Sequence, residues 1–259
     1  MRILFLGDIF AEPGRSAVKN GLPKLIETYS PHFIIANGEN AAHGTGITYE
    51  IALELYSYGI DVITGGNHIF DKKALWEKFD LLPYLLRPAN YPEGVPGKGF
   101  TIVKKKEFLL GVINLQGRIE MQPIDSPFSV GDRIVDKMRE ETPFIIIDFH
   151  AEATAEKEAV GFYFDGRVSA IIGTHTHVQT ADARILPHGA AYITDVGMCG
   201  VEDSVIGLDK GIAIKRFKTS MPWSFEPAEG RCILSYALVD IDETGKATQI
   251  LSKMLPVES

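Results

Sequence analysis

Short apolar runs punctuate the first two-thirds of the chain. One lies within MRILFLGDIF, and the others are FIIAN (33–37), DVITGG (61–66), FLLGVINL (108–115), PFIIIDFH (143–150) and SAIIGTH (169–175). Each is about as long as a strand, is apolar at successive positions, and ends at glycine or polar residues, as strands buried on both faces do. Between them SAVKNGLPKLIETYS, TYEIALELYSYG and KKALWEKFDLLPYLL carry spaced apolar residues and predict helices. After His188 the pattern changes. AAYITDVG, KGIAIKRFK, RCILSYALVDID and KATQILSKML predict strands joined by turns. PANYPEGVPGKG (88–99) reads as a surface loop and KKKE (104–107) as a solvated turn. Alternation of strand and helix predicts an α/β layered fold, with residues 1–259 forming one domain.

Charge and composition narrow the partners. With 34 acidic against 26 basic residues, the net charge is -8, which argues against a sequence-independent hold on duplex nucleic acid or an anionic membrane. A small phosphate ester remains compatible with a locally positive site. Cys199 and Cys232 are too few for a disulfide framework and match no zinc-finger spacing, so they read as buried small hydrophobes in a reducing cytosol. The apolar start breaks at Gly7 and Asp8 without a cleavage signal, and no run approaches the roughly 20 residues of a membrane span. A soluble, cytoplasmic protein is expected.

The chemistry lies where the apolar runs stop. Their ends carry Asp8, then Glu39 and Asn40, then Asn67 and His68, then His150, then His175 and His177. In open α/β sheets, sites form beyond the carboxyl ends of the strands, so these scattered residues can meet in one crevice. Carboxylate, amide oxygen and imidazole together suit iron, manganese or zinc rather than calcium. Either Glu39 or Asp8 can bridge two ions, since a carboxylate has two oxygens. In GTHTH, residues two apart on an extended strand face the same side, which predicts that both imidazoles point into one site.

Each residue alone has a plainer reading. Asp8 is placed to cap the following helix, GENAAHGTG to form a solvated glycine loop, GGNH a turn, and His150 a hydrogen-bonded core position. His32 and His188 each adjoin a proline and read as surface residues. Joint occurrence favours a binuclear centre.

The ordered series GD, GEN, GGNH, DFH and GTHTH resembles the calcineurin-like metallophosphoesterases. More closely, GDIFAEPGR, ANGENAAHGTGIT, ITGGNHIFD, DFHAEATAEK and IIGTHTHVQTADARILP resemble the bacterial YmdB family, over nearly the whole chain. The wider group's first motif has a histidine two residues after its aspartate; here Phe10 stands there, and Asn40 is placed to supply the missing ligand. The resemblance implies a layered fold with central β-sheets flanked by helices, and two ions per chain, iron or manganese ahead of zinc. It assigns Asp8, Glu39, Asn40 and His177 to one ion and Glu39, Asn67, His150 and His175 to the other, with Glu39 bridging. It also implies a homo-oligomer.

Two cations acidify a bridging water and screen the phosphate it attacks. His68, beside Asn67, is the candidate general acid, because imidazole titrates near neutral pH. The resemblance implies hydrolysis of small cyclic nucleotides, notably 2',3'-cAMP, with His43, Thr45 and Arg118 as candidate phosphate or nucleotide contacts. A phosphomonoesterase or nucleotidase using the same metals is one alternative. A regulatory nucleotide- or RNA-binding protein with weak turnover is another.

Overall fold

The computed structural model describes residues 1–257. Thirteen strands and six helices follow in the order β1 (Arg2–Leu6), β2 (Asp8–Ile9), α1 (Ala11–Tyr29), β3 (Phe33–Asn37), α2 (Tyr49–Ser57), β4 (Val62–Thr64), α3 (Lys73–Trp76), β5 (Phe100–Lys105), β6 (Phe108–Gln116), α4 (Pro127–Arg139), β7 (Ile145–His150), α5 (Thr154–Phe164), β8 (Ala170–Thr174), β9 (Arg184–Ile185), β10 (Ala191–Ile193), β11 (Met198–Val201), α6 (Lys210–Thr219), β12 (Cys232–Ile241) and β13 (Ala247–Val257). They build two sheets. One has the order β2-β11-β12-β1-β3-β4, with β13 also paired to β12; the other runs β5-β6-β7-β8-β10-β9.

Side-chain alternation explains the layers. Along β1, Ile3 and Phe5 pack toward the second sheet against Val112, Ile146 and Ile172, while Leu4 and Leu6 face Val18 and Leu22 of α1. The second sheet repeats the device: Ile145 and Ile147 meet Val135 of α4 and Val160 of α5. Helices, sheet, sheet and helices therefore stack with each sheet buried on both faces, which is why the strands read as continuous apolar runs.

Strands β1, β3 and β4 are parallel, as are β6, β7, β8 and β10. Parallel pairing brings their carboxyl ends to one edge, where ligands collect in such sheets.

Three predicted elements differ. The smallest is KKKE, where Lys104 and Lys105 pair with Leu109 and Phe108 as the end of β5 and only Lys106 and Glu107 form the turn. KKALWEKFDLLPYLL is not one helix: α3 stops at Trp76, a 3-10 turn covers Phe79–Leu81, and Leu85 bridges Ile63. Pro83 has no N–H to continue a helix, and Ile63 instead receives and makes backbone bonds with Tyr84 and Leu86. KGIAIKRFK, expected as a strand, is α6. The Asp209 carboxylate accepts the Ile212 N–H at 2.8 Å and starts the helix, and Ile214, which alternation would bury, is 54% exposed.

Candidate metal centre

The oxygen-bearing side chains come from the first sheet. Past β1, Gly7 runs against another strand connection so closely that a Cβ would lie 1.9 Å from the Gly197 carbonyl oxygen. Asp8 follows, fully buried, and its Oδ2 accepts the His175 N–H at 3.2 Å. It does not cap α1, which begins after Phe10 without a side-chain cap. Past β3, Asn37 Oδ1 accepts the Glu39 N–H at 3.1 Å, and Glu39 and Asn40 are both buried. Past β4, a Cβ on Gly66 would sit 2.2 Å from Glu39 Oε2 and 2.4 Å from His150 Nε2, so only glycine fits beneath the cluster.

The imidazoles come from the second sheet, but not by strand alternation. Strand β8 stops at Thr174, and His175 and His177 have φ of 103° and 66°. Left-handed backbone at both positions turns the chain instead. His175 reaches His150, Nδ1 to Nε2 at 3.0 Å, and His177 Nε2 reaches the Asn40 amide at 3.1 Å.

Each imidazole has its outer nitrogen tied to an oxygen. His150 Nδ1 lies 2.9 Å from Thr174 Oγ1, whose hydroxyl donates to Asp148 at 2.7 Å. His175 Nε2 faces Glu152 at 3.1 Å, and His177 Nδ1 faces the Ile206 carbonyl at 2.9 Å. These ties orient each ring so that its inner nitrogen faces the cluster, as in histidines that bind metals.

Around His150 Nε2 stand Glu39 Oε1 at 3.0 Å, Asn67 Oδ1 at 3.1 Å and His175 Nδ1 at 3.0 Å. A single proton cannot satisfy them all, whereas a divalent cation can. Asp8 Oδ1 and Asn40 Oδ1 are buried without any hydrogen-bond partner, a costly state that an ion relieves. Glu39, His150 and His175 each offer a ligand atom, all within 4.8 Å of one another. The residues fit a divalent metal.

The charges agree. Burial raises the Asp8 carboxyl, opposed by His177 and His150. Burial pushes Glu39 upward too, but the charge and hydrogen bond of His150 overcome it and hold the carboxyl at about 2. Burial disfavours the His150 cation, yet Glu39 and Asp8 lift it to about 9. His175, half-buried and beside His150, falls to about 3 through loss of solvent and the His150 charge, and stays neutral.

A polar layer beneath the cluster was not anticipated. Asp148 accepts from Asn37 Nδ2 at 3.0 Å and from the Thr64 and Thr174 hydroxyls, and its burial raises it to about 7. The signal for it was an acid inside the apolar run IIIDF, two residues before His150. Lys157 and Asp195 form a buried ion pair at 2.8 Å, and Asp195 also accepts the Thr176 N–H at 2.9 Å, pinning the turn between the two histidines. Neither Lys157 nor Asp195 stands out in the sequence.

Beside the cluster opens a cavity of about 270 Å³, lined by Glu39, Asn40, His43, Thr45, His68 and both turn histidines. His68 Nδ1 lies 2.8 Å from Asp71. Ile206 and Phe225, from a part of the chain with no readable motif, complete the wall. Arg118 is exposed outside this cavity, with its backbone N–H bound to Glu156. Cys199 and Cys232 are buried free thiols, and no helix among the described residues is long and apolar enough to cross a membrane.

Paired α/β sheets with acid, amide and imidazole groups gathered at one edge define a metallophosphoesterase fold. The family model described as "YmdB-like protein" matches residues 4–252, and the chain belongs to that family. It is 56% identical over 251 residues to the 2',3'-cyclic-nucleotide 2'-phosphodiesterase of Bacillus subtilis, covering 96% of this chain and 95% of that one. A crystal structure of a hypothetical protein from Thermus thermophilus has a TM-score of 0.93 at 40% identity, covering 100% of both chains. The structure of a novel phosphatase from Mycoplasma pneumoniae has a TM-score of 0.93 at 33% identity, covering 100% of this chain and 94% of that one.

Proposed function

We propose that this protein is a metal-dependent phosphodiesterase that opens 2',3'-cyclic nucleotides at the 2' bond and leaves a 3'-phosphate. The observation that carries the reading is the crowd of acceptors around His150 Nε2, with the orphaned Asp8 and Asn40 oxygens, beside a cavity that His68 lines. The name of the Bacillus subtilis relative supports the substrate class.

Asp8, Glu39, Asn40 and His177 would hold one ion, and Glu39, Asn67, His150 and His175 would hold a second, with Glu39 common to both sets. The N and O donor set suits iron or manganese, with zinc also accommodated. Bound there, the pair supplies Lewis-acid charge at the phosphate and an acidified water.

His43 and Thr45 stand at the cavity rim, where a phosphate or ribose enters. Arg118, outside the cavity, is not carried into this reading. As the bond from phosphorus to the 2'-oxygen breaks, His68 Nε2 gives that oxygen its proton, while Asp71 holds the ring through Nδ1.

Hydrolysis of 2',3'-cAMP, 3',5'-cAMP, AMP and bis(p-nitrophenyl) phosphate, measured side by side with metal restored, tests the assignment. Preference for 2',3'-cAMP with 3'-AMP as product is expected, and a preference for AMP would make the protein a nucleotidase. If wild type and His68→Ala were equally inert on every ester, a regulatory nucleotide-binding role would replace it. Elemental analysis of protein purified without chelator identifies the metal.

A further inference from the structure

The reaction makes no use of α6 or of the arm that joins it to β12. Helix α6 carries Lys210, Lys215, Arg216 and Lys218 and no carboxylate, in a chain of net charge -8. Lys210 pairs with Asp203, whereas Lys215, Arg216 and Lys218 have no ion pair among the described residues.

Two of these cations lie on aromatic rings. Lys215 Nζ is 3.3 Å from the centre of the Trp223 ring, and Arg216 Cζ is 4.0 Å from that of Phe225. Phe225 is 51% exposed and lines the cavity, and Trp223, two residues earlier on the same arm, is 37% exposed. Two rings two residues apart on the arm are thus each backed by a cation from consecutive helix residues, and one of them lines the cavity.

A ring with a cation behind it offers its other face, and flat bases stack on such faces whatever their sequence. Cations without carboxylate partners attract phosphates. A second copy docked here across a two-fold axis would bring two such cationic strips together, which is unfavourable. An anionic chain of planar groups suits the strip on both counts.

We infer that this strip takes the end of a single-stranded RNA whose terminal 2',3'-cyclic phosphate enters the cavity. The last base stacks on Phe225 and the preceding one on Trp223, with Lys215, Arg216 and Lys218 near the connecting phosphates. The ribose must carry a 2'-oxygen, which selects RNA over DNA. The inference rests on the phosphodiesterase reading for the chemistry at the strand's end, and its substrate class extends beyond free nucleotides.

Fluorescence anisotropy of a 5'-fluorescein hexaribonucleotide ending in a 3'-phosphate measures the docking without turnover. Wild type is expected to bind the single strand at least about thirtyfold more tightly than the Trp223→Ala, Phe225→Ala double variant, because two stacked bases are lost and each contributes about fivefold or more. The Trp223→Phe, Phe225→Trp pair should restore binding. Lys215→Gln with Arg216→Gln should flatten the salt dependence and lower the ratio of kcat/KM for a cyclic-phosphate hexamer to that for 2',3'-cAMP.

Circular dichroism confirms that each variant is folded. Unchanged affinity in the alanine pair overturns the inference, as does a change from dimer to monomer in that pair with RNA affinity intact, which would make the strip a contact between copies. Hydrolysis of 2',3'-cAMP without strand binding sinks the strip and leaves the phosphodiesterase reading standing. Strand binding without hydrolysis of any cyclic ester does the reverse.

Discussion

The two sheets contribute unequally to the cluster at their shared edge. The sheet of β1, β3 and β4 delivers oxygens, from Asp8, Glu39, Asn40 and Asn67, and leaves two of those atoms buried and unpartnered. The sheet of β7 and β8 delivers nitrogens, and every outer imidazole nitrogen is tied, to Thr174, to Glu152 or to the Ile206 carbonyl. Charge therefore comes from one side and orientation from the other. The oxygen side meets an unmet demand for a cation, while the nitrogen side is held ready by its own hydrogen bonds.

Four experiments break or sharpen that contrast. Glu39→Gln, on the oxygen side, removes the carboxylate charge that both proposed ions share. Metal content should collapse, and kcat/KM should fall about a thousandfold or more. His68→Ala touches neither sheet's donors. It should keep its metal by elemental analysis and lose about a hundredfold or more in kcat.

Thr174→Val, behind the nitrogen side, unties His150 and strips Asp148 of a donor. A 10- to 100-fold weakening of metal affinity is expected, roughly the effect of losing a supporting hydrogen bond. If it matched Glu39→Gln, the division of labour would be wrong. The smallest effect is a proton count. Free of metal, His150 has its pKa raised to about 9, so it binds a proton at neutral pH that a cation must displace. Titration calorimetry at pH 7 in buffers of different ionisation enthalpy should show proton release, and apparent metal affinity should rise with pH up to about 9.

A carboxylate away from the cluster supplies the control. Burial would raise Asp182, but hydrogen bonds from Thr180 and Thr194 hold it below its ordinary 3.8. The stability it contributes is complete above that value and is lost as pH falls through the lower folded value. Asp182→Asn should therefore lower the Tm at pH 7 and make progressively less difference below pH 4, with metal content unchanged.

Much of this could be read from the residue order. Apolar runs located the buried strands because β3, β6, β7 and β8 are covered on both faces, so each reads as apolar regardless of its neighbours. Their polar ends singled out Asp8, Glu39, Asn67, His150 and His175 as candidates, and the structure brings these five together because parallel strands finish at a common edge. KGIAIKRFK misled because two isoleucines two apart imitate a strand, when the decisive feature is the Asp209 cap. GTHTH misled on geometry: its two histidines do face the cluster, but the positive φ of His175 and His177 replaces the alternation expected of a strand.

The chain alone determined which chemical groups stand at the strand ends, since strand length and apolar pattern are local properties. Only the tertiary structure decided which nitrogen of each histidine faces inward, that Lys157 pairs with Asp195 beneath the turn, and that Phe225 walls the cavity. Those outcomes depend on contacts between residues far apart in the chain, and one-dimensional spacing holds no record of them.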